Sequence, residues 1–556
     1  MKFFIVLICL FQSSLGAIDR NWWKKATLYQ VLLPSFKDSD GDGIGDFNGL
    51  NWRLDYLKDL GIDTVMITPH FSTPNLNCAG YDVTDFKQVN HLFGTMNDFD
   101  RLVSEMRNKG LKLIIDMVIN HSSDQHPWFS NSVKRIDPYT DYYIWKDPKG
   151  YDHNGNPIVP NNWQCIMGGS AWKWHPDRRQ FYLHQFIEQM PDLNLRNDLV
   201  IYEFKKIFEF WSDKGVAGFR LDAAEHFIED HYFRNEPFSN PSTQELRGRG
   251  DQSNIFTQLL SESMDVIHEL RTQTDLLTEK SADYERILIP ETHSRGRELY
   301  QYYGSEKYRI VHFPFNYMLT YSSNYETAHY YRNVIDDYLN CLPEGGIANW
   351  DSENQDIPRR AEVFNEEYEY ILTSMVLLLP GVAVIYYGQE LGLTGWHFPG
   401  RNVDSFRLPM QWDDSTSAGF STNSEPYLPV SENYRDVNVQ KQKYDENSHY
   451  NKVRKMISWR KTDAFKYGSF KSYVLSTWVY SFTRRLNNEI YLVIFNLGKT
   501  DTEYIDLKHF IENLPDQMVI KLASRNSDYN TNNEINTNQK FKVKPQVAVV
   551  LYPKWI

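Results

Sequence analysis

The stretch GFRLDAAEH, residues 218–226, ends a short apolar run in an acidic side chain, Asp222, with Arg220 two residues before it. Two other stretches repeat the pattern: ILIPETH at 287–293 ends its run in Glu291, and ENQDIPRR at 353–360 carries Asp356. If the three runs are parallel strands of one barrel, their C-terminal ends share a face and the acids converge on one cleft. Converging carboxylates are what cleavage of a glycosidic bond requires, so the pattern points to a carbohydrate-active enzyme. Arg220 and Asp222 lie two apart on a strand and so point to the same side, where the opposite charge favours the carboxylate. Glu291 follows Ile287-Leu288-Ile289-Pro290, and emergence from a buried strand is expected to raise its pKa, as a general acid needs.

Working outward, strand-like runs recur at Leu28–Leu33, Thr64–Thr68, Leu111–Asp116, Gly218–Asp222, Ile287–Glu291, Arg309–Phe315, Gly346–Trp350 and Val382–Tyr387. Helical patterns lie between several of them, including Asn97–Lys109, Leu199–Lys214 and Glu366–Leu379, and this alternation predicts a parallel sheet. Eight such runs predict a closed (β/α)8 TIM barrel, spanning 18–120 and 191–470. A doubly wound open sheet would want a Gly-rich phosphate turn after an early strand, and the sequence has none. The interval 121–190, rich in Trp, Pro, Gly and Asn, is too long for an ordinary connection and reads as an inserted lobe over the cleft. After about residue 470, alternating runs and an Asn487-Asn488 turn predict a C-terminal antiparallel β-sandwich, 471–556. The Asn-rich segment 526–539 reads as a surface loop.

Composition agrees with a globular chain of two or three units: 556 residues, 41% hydrophobic and 24% charged. A net charge of −13 without a basic face argues against nucleic acid and for a neutral small-molecule substrate. Residues 1–17 read as a signal peptide: Lys2, the short apolar run Phe3–Phe11, then Ser14-Leu15-Gly16-Ala17. No later stretch approaches the roughly twenty apolar residues of a membrane helix, so a secreted, extracellular protein without a membrane anchor is expected. Beyond the leader, Cys78, Cys165 and Cys341 permit at most one internal disulfide. Asn120-His121-Ser122 is an N-glycosylation sequon, but it falls at a predicted core strand end and should carry no glycan. Nothing in the sequence speaks to oligomeric state.

With these motifs in order from about Trp22 to Trp412, the chain resembles glycoside hydrolase family thirteen, in its insect-type secreted maltase and sucrase branch of oligo-1,6-glucosidase-like α-glucosidases. The resemblance implies a barrel with a lobe inserted after the third strand and a C-terminal β-sandwich. It implies a retaining reaction on α-glucosides or oligosaccharides, with Asp222 as nucleophile, Glu291 as acid/base, and Asp356 as the third carboxylate gripping the C2 and C3 hydroxyls. It further implies that Arg220 keeps Asp222 ionised, and that Tyr81, Asp116, His121, Gln355 and Arg359 serve substrate binding. The loop DSDGDGIGD resembles the single calcium or magnesium loop of this branch, with Asp38, Asp40, Asp42, Asp46 and the Ile44 carbonyl as structural ligands. A full EF-hand is excluded, because position twelve is Gly49 and not the bidentate Glu.

Several positions depart from the family pattern. Cys78 stands in CAGYD where an Asp clamps the terminal glucose, and Gln355 stands in ENQD where a histidine donates to it. YQVLLPSF and MPDLN also differ from the usual motifs, with an expected effect on packing or loop shape. Cys78 and Cys165 either pair across the rim of the pocket, occluding it, or remain separate thiols, the second being the preferred reading. The altered clamp keeps a second class in view, a non-catalytic sugar-binding or interaction protein on the same fold, and transglucosylation is a third possibility. Heavy subunits of amino-acid transporters share the fold but need a membrane helix before the barrel.

Overall fold

The computed structural model describes residues 18–240, 248–281, 283–396, 398 and 404–554; the leader read at 1–17 lies outside the described residues. Seven parallel strands form one sheet: β1 Thr27–Val31, β2 Thr64–Ile67, β3 Lys112–Met117, β4 Gly218–Leu221, β5 Ile287–Pro290, β6 Asn349–Trp350 and β7 Val382–Tyr386. Their order, β5-β4-β3-β2-β1-β7-β6, is that of a barrel with one position open between β5 and β6.

The sequence predicts a regular strand there, Arg309–Phe315, and the structure corrects this to an extended segment without a regular ladder. Pro314 has no N–H to give, and the His312 ring takes the Leu288 N–H (2.9 Å) that a ladder would have used. Contact with β5 survives as His312 N to Leu288 O and Phe315 N to Pro290 O (3.1 and 3.0 Å). On the other side Asn349 substitutes for the missing ladder. Its side chain donates to Pro314 O (2.6 Å) and accepts from Asn316 N (2.9 Å), while Asn316 Nδ2 donates to Asn349 O (3.0 Å). The barrel therefore closes through two asparagine side chains.

Period-two alternation sorts each strand between two cores. On β3, Leu113 and Ile115 face the surrounding helices, while Ile114 joins Leu28, Met66, Ile287, Ile289 and Val384 in the barrel interior. Continuing the inward phase by two residues carries Ile114 to Asp116, Gly218 through Arg220 to Asp222, and Ile289 to Glu291. The strand phase alone thus delivers these acids to the barrel's C-terminal mouth. Gly218 is required for the approach of β4 to β5, since a Cβ there would lie 2.6 Å from Ile287 Cγ1 and 2.7 Å from its carbonyl oxygen.

Outside, the helix Met96–Asn108 starts at a Thr95/Asp98 capping box and buries Phe99, Leu102, Val103 and Met106 at helical spacing. Each such side chain contributes about 1.5–3 kcal/mol of burial. Helices Asp198–Asp213, Glu262–Ser281, Ala328–Cys341 and Glu366–Leu378 continue the outer layer. Between β3 and β4 the chain leaves the barrel for a three-stranded antiparallel sheet, Trp145–Lys146, Gln180–Leu183 and Trp172–His175, packed on Trp163 and Cys165. From Ser469 onward a six-stranded antiparallel sheet faces the pair Glu503–Ile505 and Phe541–Val543 across its own apolar core. Leu486 pairs with Glu489 around Asn487, whose φ of 53° suits a two-residue hairpin turn. The Asn-rich segment is not wholly a loop: Glu534–Asn536 pairs with Gln517–Val519.

Candidate active site

At the mouth of the barrel Arg220, 1% exposed, organises three carboxylates. Its Nη1 donates to Asp116 Oδ2 (2.5 Å) and Asp222 Oδ1 (2.7 Å), and its Nη2 forms an ion pair with Glu291 Oε1 (2.6 Å). Asp116 is Arg220's register partner on the next strand, so sheet pairing itself sets that contact. Glu291 is held further by the Ala223 N–H (3.1 Å) and the Tyr317 hydroxyl (3.3 Å). Ala223 donates from a left-handed turn, φ 51°, directly after Asp222, a conformation unfavourable for alanine that binds the ends of β4 and β5 together.

Asp222, Glu291 and Asp356 line one cavity of about 460 Å³, together with Tyr81, His121 and Cys78. Asp116, Arg220 and Gln355 stand directly behind it. Tyr81 Oη donates to Asp116 Oδ2 (3.0 Å) and accepts from Gln355 Nε2 (3.3 Å), and Gln355 Oε1 in turn accepts from Gln30. Gln355 of ENQD is therefore in contact with Gln30 of YQVLLPSF. The Gln355 side chain reaches the cavity through Tyr81. His121 is buried with an unpartnered Nε2, and burial lowers its pKa to about 3, so it offers the cavity a neutral ring.

Arg359, expected at the sugar, is elsewhere. It is buried, donates to Glu353 (3.1 Å) and stacks on Tyr386 and Tyr387. The cavity arginine is Arg407, which donates to Asp356 Oδ1 (3.0 Å) and to the Gln355 carbonyl (2.8 Å). Sequence reading missed it because it belongs to no strand end. Glu225, His226 and His293 were likewise not singled out, although they sit inside the quoted motifs and line the cavity. Phe186, Ile187, Met190, Ile166 and Met167 supply its apolar wall.

The electrostatics correct one expectation. Burial alone would raise the Glu291 carboxyl, but Arg220, His293 and the Ala223 N–H outweigh it and hold Glu291 below its ordinary value. Burial pushes Asp222 well above its ordinary value against the pull of Arg220, with Glu291, Asp116 and Asp356 adding repulsion. Burial likewise raises Asp116 to about 6. The physical reason is that three buried carboxylates share one guanidinium, so they titrate as a set rather than one by one.

The three cysteines are free. Burial, with Asp82 and Asp124 nearby, raises the Cys78 thiol to about 11, so it lines the cavity as a neutral group. Asn120 of the sequon is 2% exposed and its amide donates to Asp192 (3.4 Å). In the acidic loop, carboxylate oxygens of Asp38, Asp40 and Asp42 lie within 4.8 Å of one another. Partial burial and then the charges of Asp40, Asp38 and Asp46 raise the Asp42 carboxyl, the crowding a cation would relieve. Asp46 has a different contact set from the expected ligand role: it caps the helix Phe47–Trp52 through Gly49 N and accepts from Ser39 N and Oγ. The Ile44 N–H donates to Asp42 (2.7 Å) within the same loop.

Carboxylates gathered by an arginine at the C-terminal mouth of a (β/α)8 barrel define the class as a glycosidic-bond enzyme scaffold. The chain belongs to the alpha-amylase family, whose catalytic-domain model matches residues 30–468. It is 35% identical to an alpha-glucosidase of Apis mellifera, over 97% of this chain and 96% of that one. It is 34% identical to Maltase A1 of Drosophila melanogaster, over 98% of both. Among solved structures, an alpha-glucosyl transfer enzyme superposes with a TM-score of 0.79 at 28% identity, covering 96% of this chain and 99% of that one.

Proposed function

We propose that the protein is a secreted, retaining α-glucosidase acting on small neutral α-glucosides of the maltose and sucrose type. The observation that carries this reading is the sharing of Arg220 by Asp222 and Glu291 at one cavity. Two carboxyls held 2.7 and 2.6 Å from the two ends of one guanidinium fit the close pair of a retaining enzyme better than the roughly 6.5–9.5 Å spacing that leaves an inverting enzyme room for water. Asp222 attacks the anomeric carbon while Glu291, in its protonated form, gives its proton to the leaving oxygen. Asp356, oriented by Arg407, and His121 take the ring hydroxyls. Glu291 then deprotonates the water, or the sugar acceptor, that releases glucose from Asp222. The relatives named as alpha-glucosidase and maltase support this substrate class. The leader-like segment 1–17 supports secretion, and among the described residues no helix is long and apolar enough to cross a membrane.

The donor set of the acidic loop fits a structural calcium or magnesium ion held by Asp38, Asp40, Asp42 and the Ile44 carbonyl, with Asp46 fixing the loop's exit. Such an ion would neutralise the crowded carboxylates and take no part in bond cleavage.

The test is glucose release from maltose, sucrose and an aryl α-glucoside by the purified protein beside Asp222→Asn. The wild type should exceed the variant at least about a thousandfold in kcat, as loss of a nucleophile implies. Equal, slow release by both would remove the catalytic reading and leave a sugar-binding protein on this fold.

A further inference from the structure

Among the cavity side chains that the mechanism above leaves without a role, two lie at the ends of adjacent strands. Glu225 lies three residues past Asp222 and His293 two past Glu291, and both line the catalytic cavity. They meet across the ends of β4 and β5. His293 Nδ1 is 3.4 Å from Glu225 Oε1, and the His293 main-chain N–H donates to Glu225 Oε2 (3.0 Å). Thr292 Oγ1 and Gln258 Nε2 also donate to Glu225 (3.3 and 3.2 Å). The Glu225 side chain is 9% exposed, whereas the His293 ring is 49% exposed.

The other charged and titratable groups around the pair are few. His226 Nε2 is 3.4 Å from Glu225 Oε1, and Arg249 reaches the far side of that ring (3.3 Å). Tyr317 and Tyr321 flank His293 at 5.6 and 6.0 Å, with Arg295 over Tyr321. Tyr317 links His293 to Glu291, its ring 5.6 Å from the imidazole and its hydroxyl donating to Glu291 Oε1 (3.3 Å), and Asp356 lines the same cavity. Of the two imidazoles facing Glu225, His226 is buried and pressed by Arg249, so it stays neutral. His293 is open to solvent on one side and surrounded by carboxylates, so it takes the positive charge.

We propose that Glu225 maintains His293 as a cation beside Glu291, and that this cation sets the pH at which Glu291 ionises. His293 is thus a positioning residue, acting through the acid/base rather than on the sugar, and the proposal rests on the catalytic reading given above. Contact with Glu225 raises His293, outweighing partial burial, and His293 is among the groups that lower Glu291. The benefit falls on the second half of the reaction, where Glu291 must be ionised to take a proton from the incoming water.

The experiment compares kcat/KM against pH for wild type, His293→Gln, His293→Lys and Glu225→Gln with an aryl α-glucoside. Removing a nearby cation disfavours the carboxylate, so Glu291 stays protonated to higher pH. The basic limb should move up by about one pH unit in His293→Gln and in Glu225→Gln, and stay in place in His293→Lys. An unmoved limb in His293→Gln overturns the proposal, as does a His293→Lys limb displaced as far as that of the glutamine variant. The coupling is reciprocal, so it can be read without turnover. The ring-proton NMR titration of His293, assigned by its loss in His293→Gln, should shift to lower pH in Glu291→Gln and Glu225→Gln. A titration unchanged in both overturns the proposal. A wild type that turns over no α-glucoside removes the catalytic reading alone, and the NMR titration then decides whether the Glu225–His293–Glu291 coupling exists.

Discussion

Cys78 stands in CAGYD, where the resemblance puts a glucose-clamping Asp, and it lines the cavity. A neutral thiol is a weak hydrogen-bond partner, and a sugar hydroxyl left unpaired in a dry site costs about 1–3 kcal/mol. Restoring a carboxylate should recover much of that, so Cys78→Asp is expected to raise kcat/KM for maltose and sucrose roughly tenfold. Unchanged kinetics would show that the glucosyl ring does not reach this position. Gln355 is a different case. The motif predicts a changed sugar contact there, yet Gln355 touches Tyr81 and Gln30 and stands behind the cavity. One of the two changed positions that kept a non-catalytic protein in view therefore does not line the cavity, and its side chain belongs to a network, Gln30–Gln355–Tyr81–Asp116–Arg220, that runs behind it.

At the scale of elements, the closure between Phe315 and Asn349 is where side chains replace a ladder. Asn349 is fully buried, and its amide donates to Pro314 O and Tyr338 Oη while its oxygen accepts from Asn316 N. Replacing it with leucine keeps the volume and orphans these partners, at about 1–3 kcal/mol for each buried group left unsatisfied. Asn349→Leu should therefore destabilise the fold by about 3 kcal/mol, read as a lower guanidinium midpoint of unfolding, while a variant of the exposed Glu344 leaves the midpoint unchanged. This element also shows what the sequence can and cannot say. Strands with an unbroken period of two, such as Ile287–Pro290, were legible to within a residue, and so were the acids they carry, because phase alone determines where Asp222 and Glu291 point. The run Arg309–Phe315 looks equally apolar, but Pro314 and the His312 ring break the ladder, which depends on partners far along the chain. Arg407 and the stacking of Arg359 on Tyr386 were invisible for the same reason: contacts made by loops carry no periodicity.

At the scale of the whole molecule, the acidic loop joins distant parts of the barrel domain. Asp38 N donates to Phe420 O (3.0 Å) and Tyr427 N to Gly43 O (3.1 Å), so the loop after β1 is stitched to the segment that follows β7. That segment also holds Arg407, whose carbonyl accepts from Ser35 Oγ (2.6 Å) and whose guanidinium orients Asp356. Holding Asp38, Asp40 and Asp42 together without a cation costs like-charge repulsion at this junction, and a bound ion would convert it to attraction. Calcium should therefore stabilise the folded chain by about 2.7 kcal/mol at a hundred times its Kd, since it binds the folded loop and not the unfolded one. Dialysis against a chelator should lower the melting temperature, and calcium should restore it. Asp40→Asn should remove the response while leaving kcat at room temperature near the wild-type value, because the loop does not line the catalytic cavity. Magnesium, which holds its waters and demands octahedral geometry, should restore less than calcium if the loop's flexible carboxylates form the site. A melting temperature indifferent to chelator and to both ions would show that the three aspartates are an acidic turn, held by the N–H groups of Asp40, Gly41 and Gly43 around Asp38.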